Sequence, residues 1–153
     1  MADLIIRYAT PEDADVIAGF NVALALETEN LALDPPTVLG GVTRLLENRE
    51  LGFYVVAEIG GKIAGCLMIT YEWSDWRNGV IWWVQSVYVV PPFRRRGVYK
   101  TLYGHVQQLA ASDHDVAGFR LYVEQDNDAA QRTYANQGMA QTPYLMFEDL
   151  KGK

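Results

Sequence analysis

A basic turn near the middle of the chain has the residue types of an anion-binding site. Arg94, Arg95, Arg96 and Gly97 follow an apolar, strand-like run, and Lys100 comes shortly after in a helix-like segment. The first backbone N–H groups of a helix have no internal acceptor, and the helix dipole is positive at that end. Glycine allows a positive φ or the close approach of a phosphate. Residues 94–100, called the basic turn below, are therefore predicted to bind a phosphate group.

Other interpretations of the basic turn can be tested against the same residues. An arginine run alone is more often a solvated surface, but this one lies between a long apolar strand pattern and an amphipathic helix pattern. The P-loop requires glycine before its lysine, whereas this chain has Tyr99 before Lys100. The dinucleotide pattern G-x-G-x-x-G is also absent. Both of these nucleotide-binding motifs are excluded.

A second segment, "NDAAQRTYANQGM" at residues 127–139, has the spacing of a ligand-binding helix. Asn127 precedes the helix pattern as a cap, and its amide can also meet a polar ligand. Ala130 and Tyr134 are four residues apart and so share one helix face. The small Ala130 leaves room for a linear ligand arm, with the Tyr134 hydroxyl beyond it. The alternative is a helix that packs Tyr134 in the core with its hydroxyl satisfied.

At these two segments the chain resembles the GCN5-related N-acetyltransferase (GNAT) superfamily. That family's mark is Gln or Arg, two residues, Gly, one residue, and Gly or Ala, between a strand and a helix. Arg94 and Gly97 stand at their expected positions, and Tyr99 replaces the small residue. The residues just before this motif, "VYVVPPFR", are similar to the V-x-P-x-(Y/F)-R pattern that commonly precedes it in the family. The second segment matches at five positions, namely Asn127, Ala130, Tyr134, Gly138 and Met139.

The resemblance implies direct transfer of an acetyl group from acetyl-CoA to a primary amine, on a small molecule or a peptide, in a ternary complex. It implies that the pyrophosphate lies on N–H groups of the basic turn and that pantetheine pairs with the backbone at Val87 and Val89. A backbone N–H near Val87 would hold the oxyanion, and Tyr134 would protonate the leaving thiolate. A CoA-binding regulatory module without transferase activity is the alternative. The implied cofactor residues are Val87, Val89, Arg94, Arg95, Arg96, Gly97, Val98, Tyr99, Lys100, Asn127, Ala130 and Tyr134.

The acceptor side is less defined, and several groups are candidates there. A protonated amine must lose a proton before it attacks, through a carboxylate or through a water relay. Trp82 and Trp83 alternate on a strand, so one is expected in the core and the other at the site. Trp73 and Trp76 near a turn either cradle a cationic amine, or pack under a loop or in a homodimer interface. The candidate base and acceptor residues are Glu27, Glu29, Glu72, Trp73, Asp75, Trp83 and Glu124.

The elements that position these residues can be predicted from periodicity and turn residues. The predicted order is β-α-α-β-β-β-α-β-α-β, with a capping Thr37 before the second helix. Gly60–Gly61 predicts an antiparallel hairpin, and the strands at 119–123 and 144–150 complete the count. A β-α-β crossover implies one parallel pair. The predicted fold is a mixed α/β domain over 1–153, with a GNAT-like, partly splayed central sheet and helices on both faces.

Composition limits the classes of function. The 153 residues are 50% apolar and 21% charged, which suits one globular domain. The net charge of −6 argues against nucleic-acid binding. No apolar run approaches the ~20 residues of a membrane span, and no basic leader is present. Cys66 is the only cysteine, so we expect a reduced core thiol, a cytoplasmic protein, and no metal site.

Overall fold

The fold is built on one five-stranded mixed sheet. The computed structural model describes residues 3–152. The strands run in the order 1-2-3-4-5; the first four are antiparallel neighbours, and the fifth pairs parallel to the fourth. The predicted meander and crossover are therefore confirmed. The strands are β1 (Leu4–Tyr8), β2 (Gly52–Ile59), β3 (Lys62–Ser74), β4 (Gly79–Val89) and β5 (Val116–Arg120).

Residues 3–152 form four α-helices: α1 (Ala14–Glu29), α2 (Pro35–Leu46), α3 (Val98–Ala111) and α4 (Asp128–Asn136). The prediction that Thr37 caps α2 is wrong. The Asp34 carboxylate accepts the Thr37 N–H at 3.2 Å, so the helix begins earlier. Pro35 and Pro36 occupy the first helical positions, where a fixed φ and a missing N–H cost nothing.

Helices cover both faces of the sheet, because the strand residues alternate in direction. Tyr54 and Tyr88 pack with Ile17 of α1 in one core cluster. On the opposite face, the rings of Trp82 and Phe119 meet edge-on at 6.0 Å, and Tyr103 of α3 contacts Phe119 at 5.5 Å. Trp82 is buried, which confirms that one of the two adjacent tryptophans belongs to the core. The face toward α1 and α2 is called the α1 face below.

Two strand predictions need correction. β5 begins at Val116 rather than at residue 119, because its parallel pairing with β4 starts where the Val80 N–H donates to the Asp115 carbonyl at 2.8 Å. No strand forms over 144–150 in the described part of the chain. Phe147 there is 91% exposed. An apolar run predicts a strand only if a partner strand accepts its hydrogen bonds.

The chain divides into two compact units. The first ends at Leu121 and contains the five strands with α1, α2 and α3. The second begins at Tyr122 and contains α4. Among residues 3–152, no helix is both long and apolar enough to cross a membrane.

Candidate functional site

The basic turn has the backbone shape of an anion cradle. Residues 91–93 form a short 3-10 turn after β4, and α3 then begins at Val98. Arg95 and Gly97 have φ of 63° and 79°, so both lie in the left-handed region. Within the described part of the chain, no side chain caps α3 at Gly97, and a Cβ there would meet no atom of a non-neighbouring residue within 4 Å. The start of α3 is therefore open, with no acidic residue in its first turn.

Arg94 is already engaged at the start of the turn. Its Nε donates to the Val89 carbonyl at 2.8 Å, and its Nη2 donates to Glu27 Oε1 at 2.8 Å. Its guanidinium also lies 5.2 Å from the ring centre of Tyr88. These contacts fasten α1 to the end of β4. A role for Arg94 in cofactor binding stays a prediction, and its observed contacts give it a structural role.

The remaining side chains of the basic turn divide into exposed cations and one packed ring. Arg95, Arg96 and Lys100 are exposed, so their charges are accessible around the start of α3. Tyr99, which departs from the family pattern, stacks on Tyr103 with ring centres 6.0 Å apart. The larger residue thus finds a packing partner one turn along its own helix.

A β-bulge interrupts β4 beside the predicted oxyanion position. Cys66 pairs with Tyr88 and Met68 pairs with Gln85, so the single residue between them on β3 faces two residues, Ser86 and Val87. Ser86 has φ of 51°, which a non-glycine residue rarely adopts. Sequence reasoning missed this bulge. The polar pair Gln85–Ser86 inside an apolar strand is the only local signal of it.

The bulge changes which side chains share a face. Trp83 and Gln85 lie on the α1 face, where period-two alternation would next place Val87. The extra residue places Tyr88 there instead, and its hydroxyl donates to Glu27 Oε2 at 2.8 Å. The Val90 N–H donates to Ala64 of β3, so alternation turns the backbone of Val89 to the side away from β3. The Arg94 contact with the Val89 carbonyl agrees with this direction.

Cys66 lies under the bulge and is not placed for catalysis. It is fully buried, and its thiol donates to the Ser86 carbonyl at 3.5 Å. Burial raises the pKa of the Cys66 thiol to about 12. The predicted core role is consistent with these features, because a nucleophilic cysteine needs an accessible thiolate.

Alkylation tests this assignment of Cys66. We expect iodoacetamide at pH 8 to leave folded protein unmodified, since thiolate forms in quantity only near pH 12 and burial blocks access. The same reagent should add one carbamidomethyl group in 6 M urea, with mass spectrometry as the readout for both samples. Rapid modification of the folded chain would contradict a buried, inert thiol.

A polar cluster occupies the α1 face where β4 and β5 last pair. Glu72 of β3 accepts a hydrogen bond from Trp83 Nε1 at 2.7 Å. Arg120 Nη1 donates to both Glu72 oxygens, at 3.0 and 2.9 Å. Trp83 and Arg120 are themselves opposite one another in the β4–β5 pairing. Arg120 was not among the predicted site residues. Its partner Glu72 is 48 residues away, and no pattern in the residues around Arg120 indicates this pairing.

The carboxylates proposed as bases differ in their surroundings. The hydrogen bonds from Arg94 and Tyr88 hold the pKa of Glu27 below its ordinary value. The Trp83 indole, followed by Arg120, lowers the pKa of Glu72. Glu29 is exposed at the end of α1. A lowered pKa makes a carboxylate a weaker proton acceptor, so Glu27 and Glu72 are better suited to binding and positioning than to general-base work.

Two other predicted acceptor groups stand at exposed positions. Trp73 is 63% exposed and Trp76 is 89% exposed, so neither packs under a loop of its own chain. Asp75 lies between them and is exposed too. Their proposed contacts with an amine or with a second copy stay predictions.

The second unit contains the other predicted cofactor residues. The Asn127 side chain caps α4 by accepting the Ala130 N–H at 3.1 Å. Burial raises the pKa of Tyr134, so its hydroxyl stays protonated through neutral pH. Gly138, with φ of 91°, follows the helix as the predicted stop. Glu124 accepts the Asp126 N–H at 2.7 Å in the turn before α4.

The described residues contain no group of three or more His, Cys, Asp or Glu side chains arranged to hold a metal ion. The candidate site in the first unit is therefore made of backbone groups, cations, carboxylates and hydroxyls. It consists of the β4 bulge, the six β4 residues beyond the last β5 pair, and the basic turn. Such an arrangement can bind an anion next to polarised backbone N–H groups.

Comparison with known proteins agrees with this arrangement. The model of the Acetyltransferase (GNAT) family matches residues 24–139. A crystal structure described as a possible acetyltransferase from Clostridium difficile 630 is 41% identical, with a TM-score of 0.90, covering 96% of this chain and 97% of that one. No curated protein matches the chain.

More distant structures share the fold. Aminoglycoside N-acetyltransferase AAC(6')-Iy in complex with CoA is 16% identical, with a TM-score of 0.81 and coverage of 99% and 97%. A ribosomal-protein-alanine N-acetyltransferase from Brucella melitensis biovar Abortus 2308 is also 16% identical, with a TM-score of 0.77 and coverage of 98% and 100%. The family match, the 41% identical neighbour and the mixed sheet lead to one conclusion: the chain belongs to the GNAT family and is an acetyltransferase.

Proposed function

We propose that this acetyltransferase moves the acetyl group of acetyl-CoA directly to a primary amine in a ternary complex. The observation that carries the proposal is the continuity of β4 with the basic turn. Six residues of β4, 84–89, extend past the last β5 pair, and the chain then passes through the turn into α3. One segment thus offers an open strand edge for an extended ligand arm and an anion cradle at its end.

The residues of the basic turn fit the diphosphate of CoA. The open space at Gly97 and the uncapped start of α3 leave room and N–H donors for phosphate oxygens. Arg95, Arg96 and Lys100 add positive charge around them. Val87 and Val89 would pair with the pantetheine arm, and Asn127, which caps α4, and Ala130 would contact the cofactor as the resemblance implies. When bound, acetyl-CoA supplies an activated acetyl thioester.

The β4 bulge supports the role of Val87 in the chemistry. A regular strand alternates its N–H groups, whereas a bulge leaves one residue out of the ladder. Here the extra residue frees the Ser86–Val87 segment from regular pairing with β3. The Val87 N–H would donate to the acyl oxygen as negative charge develops on it. Tyr54, whose hydroxyl accepts from Asn21 at 3.4 Å, packs in the core beneath this segment.

Proton transfer is assigned to Tyr134 and to water. Burial raises the pKa of Tyr134, which suits an acid that must keep its proton until the thiolate leaves. The lowered pKa values of Glu27 and Glu72 favour a water relay for deprotonation of the amine. The buried Cys66 thiol supports direct transfer, because the chain has no other cysteine for an acyl-enzyme.

Thiol release across a panel of amines tests the proposal. Acetyl-CoA is supplied with simple primary amines, an amino sugar, a polyamine and short peptides, and free CoA is followed with a thiol reagent. The proposal predicts amine-dependent release with at least one acceptor and an acetylated product by mass spectrometry. Tight CoA binding without release from any amine would instead favour the regulatory CoA-binding module.

A further inference from the structure

One arginine of the polar cluster, Arg120, is held through one of its guanidinium nitrogens. Arg120 Nη1 makes both contacts to Glu72, and Glu72 is fixed in turn by the Trp83 indole. Within residues 3–152, Arg120 Nε and Nη2 have no hydrogen-bond partner. The Arg120 side chain is 29% exposed. Because Nη1 is held by Glu72, the orientation of the guanidinium is fixed. Its remaining N–H donors, on Nε and Nη2, are parallel and match the two oxygens of a carboxylate.

The place of Arg120 in the sheet relates this pair of donors to the reaction. Arg120 is the last residue of β5, and it lies opposite Trp83 on β4. Val87 follows Trp83 by four residues, but one of them is the extra residue of the bulge. The opposing stretch of β3 from Thr70 to Leu67 is three residues, which corresponds to about 10 Å of strand at 3.3 Å per residue. Between Trp83 and Val87, on the same face, Gln85 Nε2 donates to Thr70 Oγ1 at 2.8 Å. A polar track therefore runs along the α1 face from the bulge to Arg120.

We propose that Arg120 binds a carboxylate at the far end of the acceptor, and that the acceptor is an extended acidic peptide. This inference rests on the proposed function, which places the reacting amine near Val87. A peptide rises by about 3.4 Å per residue, so an amine at the bulge places the fourth residue beside Arg120. Gln85 and Thr70 would meet the peptide groups between. Glu72 is the positioning residue that orients Arg120.

The net charge of the chain indicates that recognition of an anionic acceptor must come from a local contact. The chain carries a net charge of −6, so long-range attraction does not favour an anionic acceptor. Recognition of a carboxylate then depends on a fixed arginine close to the site. Glu72 neutralises Arg120 in the free protein, while the guanidinium keeps donors for a second carboxylate.

A pair of tetrapeptides tests the inference. Alanine tetrapeptide is compared with its C-terminal amide, with thiol release as the readout and acetyl-CoA saturating. The inference predicts a kcat/KM about tenfold higher for the free acid in the wild-type protein, the size of one charge-assisted contact. A dipeptide acid should show no such preference over its amide, because its carboxylate falls short of Arg120.

Variants assign the preference to Arg120. Arg120→Gln should remove the tenfold difference through KM for the free acid and leave KM for acetyl-CoA unchanged, and Arg120→Lys should restore only part of the preference. Arg44→Gln, an equal loss of charge at an exposed position of α2, should keep the wild-type preference. Equal kcat/KM for the two wild-type tetrapeptides, with turnover intact, would overturn this inference alone. Absence of thiol release with every amine would overturn the proposed function and the inference with it.

Discussion

Tyr134→Phe is expected to lower kcat by about a hundredfold while leaving the Kd of CoA nearly unchanged. The substitution removes one hydroxyl from α4 and keeps the aromatic ring. Loss of a general acid slows departure of the thiolate, and such proton transfers contribute about 10²–10⁴ in rate. Single-turnover rates and calorimetric CoA binding measure the two quantities separately.

The pH profile makes the Tyr134 prediction sharper. Because burial raises the pKa of Tyr134, the acid form persists through neutral and mildly alkaline pH, and wild-type kcat should fall only as pH rises toward that pKa. Tyr134→Phe should lose this alkaline limb. Tyr144→Phe, at an exposed position of the same unit, serves as the control and should behave as wild type. Unchanged kcat in Tyr134→Phe would remove this residue as the acid.

Gly97→Asp is expected to weaken CoA binding by at least about tenfold. A carboxylate at this position would lie against the proposed diphosphate, and two unit charges 5 Å apart repel by about 3 kcal/mol at an effective dielectric of 20, less when exposed. The φ of 79° adds backbone strain for any side chain. The Kd of CoA measured by calorimetry gives the result directly.

Two matched variants separate the causes in Gly97→Asp. Gly60→Asp places the same side chain at a φ of 59° with open space around its Cβ, but in the hairpin turn between β2 and β3. It should lose stability without losing CoA affinity. Gly97→Ala should show the strain without the charge, with a smaller loss of affinity. If Gly97→Asp binds CoA as tightly as wild type, the diphosphate lies elsewhere.

The parts of the fold that sequence predicted well are those fixed by local chemistry. Gly60–Gly61 forms its hairpin because both residues adopt positive φ, and Gly97 takes φ of 79° at the start of α3. Asn127 caps α4 as its residue type favours. The errors concern strands, because the existence and the limits of a strand depend on its pairing with a neighbouring strand. The strand at 144–150 is absent from the described structure, and β5 begins at Val116 because β4 sets its register.

The backbone elements of the candidate site could be predicted from the sequence, but its hydrogen-bonded pairs of side chains could not. The basic turn follows from residue type and position. Arg94 binds Glu27 across 67 residues, and Arg120 binds Glu72 across 48, so no local pattern encodes either pair. The alternation of side chains along β4 did not predict the bulge at Ser86 either. An extra residue in one strand can be recognised only by comparison with its partner strand. These long-range contacts changed the roles considered for Glu27, Glu72 and Arg94.

Initial rates with both substrates varied test the central claim of direct transfer most directly. Acetyl-CoA is varied at several fixed concentrations of the best acceptor amine, and CoA release is followed continuously. Transfer within a ternary complex predicts double-reciprocal lines that intersect, and no release of CoA before amine is added. Parallel lines, with a burst of about one CoA per chain in the absence of amine, would contradict direct transfer and require an acyl-enzyme.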